Sequence, residues 1–309
     1  MLPQLGRELF LTDGGIETTL IFHRGLDLPE FAAFPLLEDA EGREALRAYY
    51  EPYLRLAREH GSGFVLESPT WRASPRWGKA LGYDEAQLDE LNRRAIGLMG
   101  KLRAEHGPVG GDIVISGCIG PHDDGYDPAS KLSAGEAQAY HATQIGTFAD
   151  AGADMVTAVT LTYAEEAIGV VRAAAAAGVP AAVSFTLETD GRLPSGQALS
   201  EAIAQVDRET DPGPAYYMIN CVHPTHFEDV LDPDAPWTSR IRGLRANAST
   251  KSHAELDEAT ELDVGDPADL AARYAALRDR LPGLTVLGGC CGTDERHVAE
   301  IARAWRAEE

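Results

Sequence analysis

Eight short apolar runs recur along this chain, and a longer amphipathic stretch follows each of most of them. The runs cover residues 9–12, 63–66, 113–116, 155–159, 181–185, 216–219, 241–244 and 285–287. They are rich in Val, Ile and Leu and are consistent with parallel strands covered on both faces. The helix-like stretches between them include 45–60, 85–105, 134–151, 164–177, 199–207 and 267–280, with a closing helix over 295–309 that Thr293 or Asp294 can cap. Eight strands alternating with helices predict an α/β fold, a single (β/α)₈ TIM barrel, for which about 250 residues is typical. An open doubly wound sheet is the alternative. No Gly-x-Gly-x-x-Gly follows the first run, so dinucleotide binding has no support. The 309 residues show no composition break, and 1–309 reads as one domain. The extra length is assigned to loops at 16–40, 69–84 and 249–266.

Charge and cysteine content narrow the function. A net charge of −22 argues against nucleic acid and against an anionic membrane surface as partner. The most apolar stretch, 168–185, is broken by Arg172, Gly178 and Pro180, so it reads as a helix end, a turn and a strand rather than a membrane span. The first residues carry Gln4, Arg7, Glu8 and Asp13 and no apolar core of a signal peptide. Four cysteines do not make a disulfide framework in a chain this long. The expected location is a reducing cytoplasm, where thiols stay available for a metal.

On a barrel, function sits in the loops after the C-terminal ends of the strands. The polar residues fall there: Asp13-Gly14-Gly15, Glu67 with Thr70-Trp71-Arg72, Cys118, Thr160, Glu188 and Asp190, Asn220-Cys221, Asn247 and Cys290-Cys291. Consecutive side chains on a strand point to opposite faces, so Cys290 and Cys291 can reach one point only where the backbone leaves the extended form. Gly288, Gly289 and Gly292 are the expected means of that departure. Only strand seven separates strands six and eight, so Cys221 can meet the pair. Three thiolates with an open fourth position is the layout of a catalytic zinc site, and sulfur ligands favour Zn²⁺ among common ions. With three thiolates, Zn²⁺ would carry a formal charge of about −1; a thiol entering the open position loses its proton and stays nucleophilic. A structural zinc site and a pair of unligated thiols are the competing readings.

Other residues are weighed on the same terms. His223 shares a face with Cys221 and is a second candidate ligand, with a bystander role favoured beside Pro224. Cys118 reads as a small buried hydrophobe. Asp123, Asp124 and Asp127 are read as a solvated loop, with a hard-cation site as the alternative. Glu67 is either a substrate-facing carboxylate or a satisfied core acid. Glu188 and Asp190 are expected to be loop charges, and His23, His122, His141, His226 and His253 packing or surface residues.

These segments resemble the homocysteine S-methyltransferase family over nearly the whole chain. Leu11-Thr-Asp-Gly-Gly-Ile-Glu-Thr18 is similar to its opening Asp-Gly motif, and Gly152-Ala-Asp154 to its Gly-Ala-Asp before strand four. Val183-Ser-Phe-Thr186 with Ser195-Gly196 resembles its strand-five segment. The specific signatures are Ile219-Asn-Cys-Val-His-Pro224 and Gly288-Gly-Cys-Cys-Gly-Thr293. The resemblance implies a TIM barrel with zinc on Cys221, Cys290 and Cys291, and methyl transfer from a sulfonium or quaternary ammonium donor to a small thiol. It implies that Asp13 sits near the substrate amino group with the Gly14 and Gly15 amides close by. It also implies that Asn247 occupies the metal before substrate arrives. Substrate-binding candidates are therefore Asp13, Gly14, Gly15, Glu67, Trp71, Arg72, Asn220 and Asn247.

The chain departs from the family pattern at two places. Val159 stands where the family has a glutamate that helps hold the amino group of homocysteine, which leaves the acceptor open to a related thiol. Trp71-Arg72 replaces a pair that is more often Tyr or Phe followed by Gln. Arg72 is expected to meet an acidic substrate group and Trp71 to line the donor pocket, since aromatic faces attract onium ions. The chain's length leaves no room for a folate- or cobalamin-binding domain, which favours a small diffusible donor. Two other classes stay open: a zinc enzyme that demethylates or hydrolyses another sulfur compound, and a non-catalytic zinc- or thiol-binding barrel.

Overall fold

The eight apolar runs close into a barrel of parallel strands in chain order, each bonded to its sequence neighbours and β1 to β8. The computed structural model describes residues 2–108, 110–126 and 130–307. The strands are β1 (Phe10–Leu11), β2 (Gly63–Glu67), β3 (Ile113–Ile119), β4 (Met155–Leu161), β5 (Ala181–Phe185), β6 (Tyr216–Asn220), β7 (Ile241–Ala246) and β8 (Val286–Gly289). Helices α1 (Ala40–Glu59), α2 (Glu85–His106), α3 (Ala134–Asp150), α4 (Ala164–Ala177), α5 (Leu199–Glu209), α6 (Pro267–Ala276) and α7 (Glu295–Ala307) ring the barrel. The β6–β7 crossover is made of short 3₁₀ segments between Pro224 and Arg240 instead of a helix. Asp127 lies outside the described residues, as do 308 and 309 of the expected closing helix.

Local chemistry sets the boundaries. Asp84 and Gln87 form a reciprocal capping box on α2, and Ser133 and Glu136 one on α3, satisfying backbone N–H groups that a helix start leaves unpaired. Asp294 accepts from the Arg296 amide at 3.0 Å while His297 Nδ1 accepts from the Asp294 amide at 3.1 Å, so the closing helix is capped by Asp294. The three expected loops are not featureless: they hold short helices at Ile16–Thr18, Pro75–Ala80 and His253–Asp257.

The barrel's N-terminal end is plugged. Phe10, Val65, Val114, Met155, Ala182, Tyr216, Met218 and Val286 form one inward-facing cluster, capped by Leu2. Gly243 leaves the space that Met218 fills, since a Cβ there would lie 2.5 Å from the Met218 side chain. The outward strand faces pack on the helices in one large cluster. With the floor filled, the open end for chemistry is the C-terminal one. Among the described residues, no helix is long and apolar enough to cross a membrane.

Candidate metal centre and substrate cavity

Cys221 is the first residue after β6, and Cys290 and Cys291 follow β8 directly. Their three Sγ atoms lie within 4.8 Å of one another. Cys221 Sγ is 2.7 Å from Cys290 Sγ and 3.6 Å from Cys291 Sγ. Both loops lean on β7 and the residues after it. The Cys221 amide donates to Arg245 O at 3.1 Å, the Cys290 amide to Ala246 O at 2.9 Å, and the Ala248 amide to Cys291 O at 3.0 Å. The sulfurs therefore inherit the rigidity of the sheet.

The backbone turns by a different device from the one expected. Of the three glycines, only Gly292 has a left-handed φ, +78°. Gly288 and Gly289 belong to β8 and are there for close approach: a Cβ on either would lie 1.9 Å from Thr12 Oγ1 or 2.1 Å from Thr293 Oγ1. The unusual conformation sits on Cys221 itself, at φ +56°. Such a conformation persists in a non-glycine residue only where its surroundings hold it. His253 is one of those surroundings: its Nε2 bonds Cys221 O at 2.7 Å, and its Nδ1 lies 3.3 Å from Glu188 Oε1. Neither role is legible from the loop sequence, where both residues look like packing or surface charge.

Three thiols this close do not ionise independently. Hydrogen bonds from Cys290 and Cys291 hold Cys221 well below the usual thiol range. The same bond to Cys221 pushes Cys290 up to about 12, and Cys291 is raised for the same reason. The cluster thus gives up one proton readily and the others only against mounting negative charge. A soft divalent cation removes that barrier, and the all-sulfur donor set fits one. Cys118 is buried, with its thiol pushed well up by desolvation, and stands outside the cluster. His223 also stands outside it; its Nδ1 is 2.8 Å from Thr225 Oγ1, and burial lowers its pKa to about 4. Polar groups against the sulfurs are the hydroxyl of Tyr126, 3.2 Å from Cys221 Sγ and 4.0 Å from Cys291 Sγ, and Nδ2 of Asn220, 4.0 Å from Cys290 Sγ. Tyr126 stacks on His253 at 4.1 Å. Burial keeps its proton on, so it donates to the Cys221 thiolate.

A cavity of about 430 Å³ opens beside the sulfurs. Asp13, Gly14, Gly15, Glu67, Trp71, Arg72 and Asn220 all line it, whereas Asn247 does not. Asn247 is buried with its Oδ1 unpartnered and makes no hydrogen bond to the sulfurs among the described residues. Several lining groups are already committed. Arg245, at the end of β7, donates from Nη2 to Asp13 Oδ1 at 2.7 Å, from Nη1 to Glu67 Oε2, and from Nε to Gly289 O at 3.0 Å. Tyr49 donates to Asp13 Oδ2 at 2.9 Å. Two carboxylates around one guanidinium leave a net negative charge out of water. Burial accordingly raises Asp13 and Glu67, with Arg245 opposing, and the pair holds Arg245 firmly charged. Gly15 gives its amide to Thr293 O at 3.0 Å, and a Cβ on it would lie 2.6 Å from Cys290 O. Asn220 braces the rim: its Oδ1 accepts from the Thr160 amide at 2.9 Å and from Ser184 Oγ at 2.5 Å, and its Nδ2 donates to Thr160 Oγ1 at 2.9 Å. That brace fixes Thr160 at φ +63°.

The remaining lining is aromatic and charged. Arg72 lies over the Trp77 ring at 3.8 Å and the Trp71 ring at 4.8 Å, reaches Asp124 at 3.8 Å and donates to Glu30 O, leaving its buried Nε without a partner. Phe22, Phe31 and Tyr126 add ring faces. Val159 puts an apolar side chain on the wall at β4, and Glu17 puts a half-buried carboxylate there from the turn after β1. Burial pushes Glu17 up to about 7. Sequence reasoning missed both Glu17 and Arg245. The available signals were an acid four residues after Asp13 and a charged residue at a strand's C-terminal end.

Known proteins are similar to this chain over nearly its whole length. The sequence model of a family described as homocysteine S-methyltransferase matches residues 10–305. The chain is 25% identical to a homocysteine S-methyltransferase of Escherichia coli strain K12, over 96% of this chain and 94% of that protein. It is 23% identical to homocysteine S-methyltransferase 4 of Zea mays, over 97% and 90% of the two. Among solved structures, the oxidized form of the homocysteine methyltransferase MmuM from Escherichia coli superposes with a TM-score of 0.77 at 24% identity, covering 98% of this chain and 97% of that one. Its metallated form gives 0.75 at 22% identity, covering 96% of each. At these identities the superpositions speak for the barrel fold.

Proposed function

Because the chain belongs to the homocysteine S-methyltransferase family, we propose that this methyltransferase moves a methyl group from a small sulfonium or betaine-type donor to the thiol of homocysteine or a related thiol, with zinc held by Cys221, Cys290 and Cys291. The observation that carries the reading is the convergence of three sulfurs, from loops after two different strands, on the wall of one cavity. Zinc bound there would draw the proton from an incoming thiol and leave its sulfur nucleophilic.

The chain's own residues supply the rest. Three thiolates outweigh a divalent charge, so electron density stays on sulfur. Tyr126, donating to Cys221, fixes that ligand's orientation. The rings of Trp71, Phe22 and Phe31 offer faces to an onium donor, and the acidic wall favours its positive charge. Arg72, with Nε unpartnered, is the group for an acceptor carboxylate. Rigid walls then hold sulfur and methyl carbon in line, where orientation contributes most of the remaining acceleration. Reduced cysteines are required throughout, which fits a reducing compartment such as the cytoplasm.

The test is methyl transfer from S-methylmethionine to homocysteine, followed by mass spectrometry of methionine. The reading expects turnover that depends on zinc. Absence of turnover across several donors and thiols, despite stoichiometric zinc, would sink it. Val159 favours one second reading, a related thiol as the true acceptor, and a panel of thiols in the same assay separates the two.

A further inference from the structure

An amino-acid thiol brings a positive ammonium into the cavity, and the groups expected to receive it already have partners or carry no charge. Asp13 has Oδ1 on Arg245 at 2.7 Å and Oδ2 on Tyr49 at 2.9 Å. Glu67 shares the same guanidinium. The wall at β4 presents Val159. Asp124 is paired with Arg72, and Asp263 with Ser249 and Lys251. Asp257 and Glu261 are exposed at the rim, where water and salt screen them.

Glu17 differs from all of these. It lines the cavity, is half-buried, and lies near enough to Cys290, Asp13 and Arg72 to feel their charges. Among the described residues its carboxylate is met only by its own backbone amide. A carboxylate partly withdrawn from water without a hydrogen-bonded cation is unfavourable, and a cationic ligand with N–H donors relieves it. We propose that Glu17 receives the α-ammonium of the acceptor, on a wall where Val159 offers no charge and Asp13 is bonded to Arg245. The inference rests on the reading above, in that it takes the acceptor to be an amino-acid thiol. An ammonium suits Glu17 better than the donor's onium does. A sulfonium or quaternary nitrogen offers no N–H, and a carboxylate pressed against a methyl donor would compete for the methyl group. With Arg72 lining the same cavity for the carboxylate, the two charges of an amino acid meet two groups of opposite sign that already sense each other.

The experiment compares Glu17→Gln with the parent full-length chain. L-methionine and its analogue lacking only the α-amino group are titrated calorimetrically, and acceptor and donor KM are measured with homocysteine and its amine-free analogue. The substitution keeps size and removes charge, and binding of the amine-free analogue reports that the cavity is intact. The expected result is an affinity for methionine weakened by roughly 10- to 100-fold, the range of a charge-assisted hydrogen bond. Acceptor KM rises to match for homocysteine. The amine-free compounds, kcat and donor KM change by less than about 3-fold, within the scatter of a neutral surface change. Unchanged methionine affinity, an equal loss on both analogues, or a rise confined to donor KM would overturn the assignment. A parent chain that methylates neither thiol instead removes the functional reading itself, which keeps the two failures apart.

Discussion

The two sides of the cavity are built on different terms. On the sulfur side, Cys221, Cys290 and Cys291 hang from backbone hydrogen bonds to β7 and the residues beyond it, and their spacing follows from the sheet. On the carboxylate side, Asp13, Glu67 and Arg245 meet through side chains, and Glu17 and Val159 line the same cavity. The contrast separates chemistry from recognition. Thiol activation needs one fixed constellation, so little can move. Acceptor recognition needs a charge of the right sign within reach, and several wall positions can supply it.

The strongest way to break this contrast is on the sulfur side. Cys221→Ser and Cys290→Ser should reduce methyl transfer below detection while leaving circular dichroism unchanged, and chelation of the parent should do the same until zinc is returned. Activity surviving either change would mean that the sulfurs are structural. On the other side, Arg245→Met leaves Asp13 and Glu67 buried without their cation. The expected cost is about 3–5 kcal/mol in urea denaturation, mostly recovered when Asp13→Asn and Glu67→Gln are added. An unchanged midpoint would show that Arg245 is not the keystone of that wall. Arg72→Ala should raise acceptor KM about 10-fold through loss of a charge-assisted bond, and Trp71→Ala should raise donor KM by a similar or smaller factor. Unchanged kinetics in both would remove their assignments. The smallest effect belongs to Tyr126→Phe, where loss of a single hydrogen bond to Cys221 should change kcat by about 3- to 10-fold.

What could be read beforehand follows the same division. The strands were legible because burial on both faces writes continuous Val-Ile-Leu runs, and the helices because amphipathic stretches follow them, with Gly178 ending one and Asp294 starting another. The expected family and barrel are those found, and the three cysteines meet as their placement after strands six and eight required. What escaped was side-chain direction. The left-handed backbone at Cys221 and Thr160 falls on residues that rarely adopt it, so composition gave no warning. Arg245 lies one position past the apolar run 241–244, and only the closed barrel brings it between Asp13 and Glu67. Asn220, expected to meet substrate, lines the cavity and also braces Thr160 and Ser184, a second role that only the closed barrel brings about.

Whether Cys221, Cys290 and Cys291 together hold one zinc ion is decided by the metal content per chain. Elemental analysis of the parent and of Cys290→Ser, both exhaustively dialysed and checked for equal thermal midpoints, should give about one zinc per chain in the parent and less than about one tenth in the variant. Equal zinc in the two proteins would contradict the account.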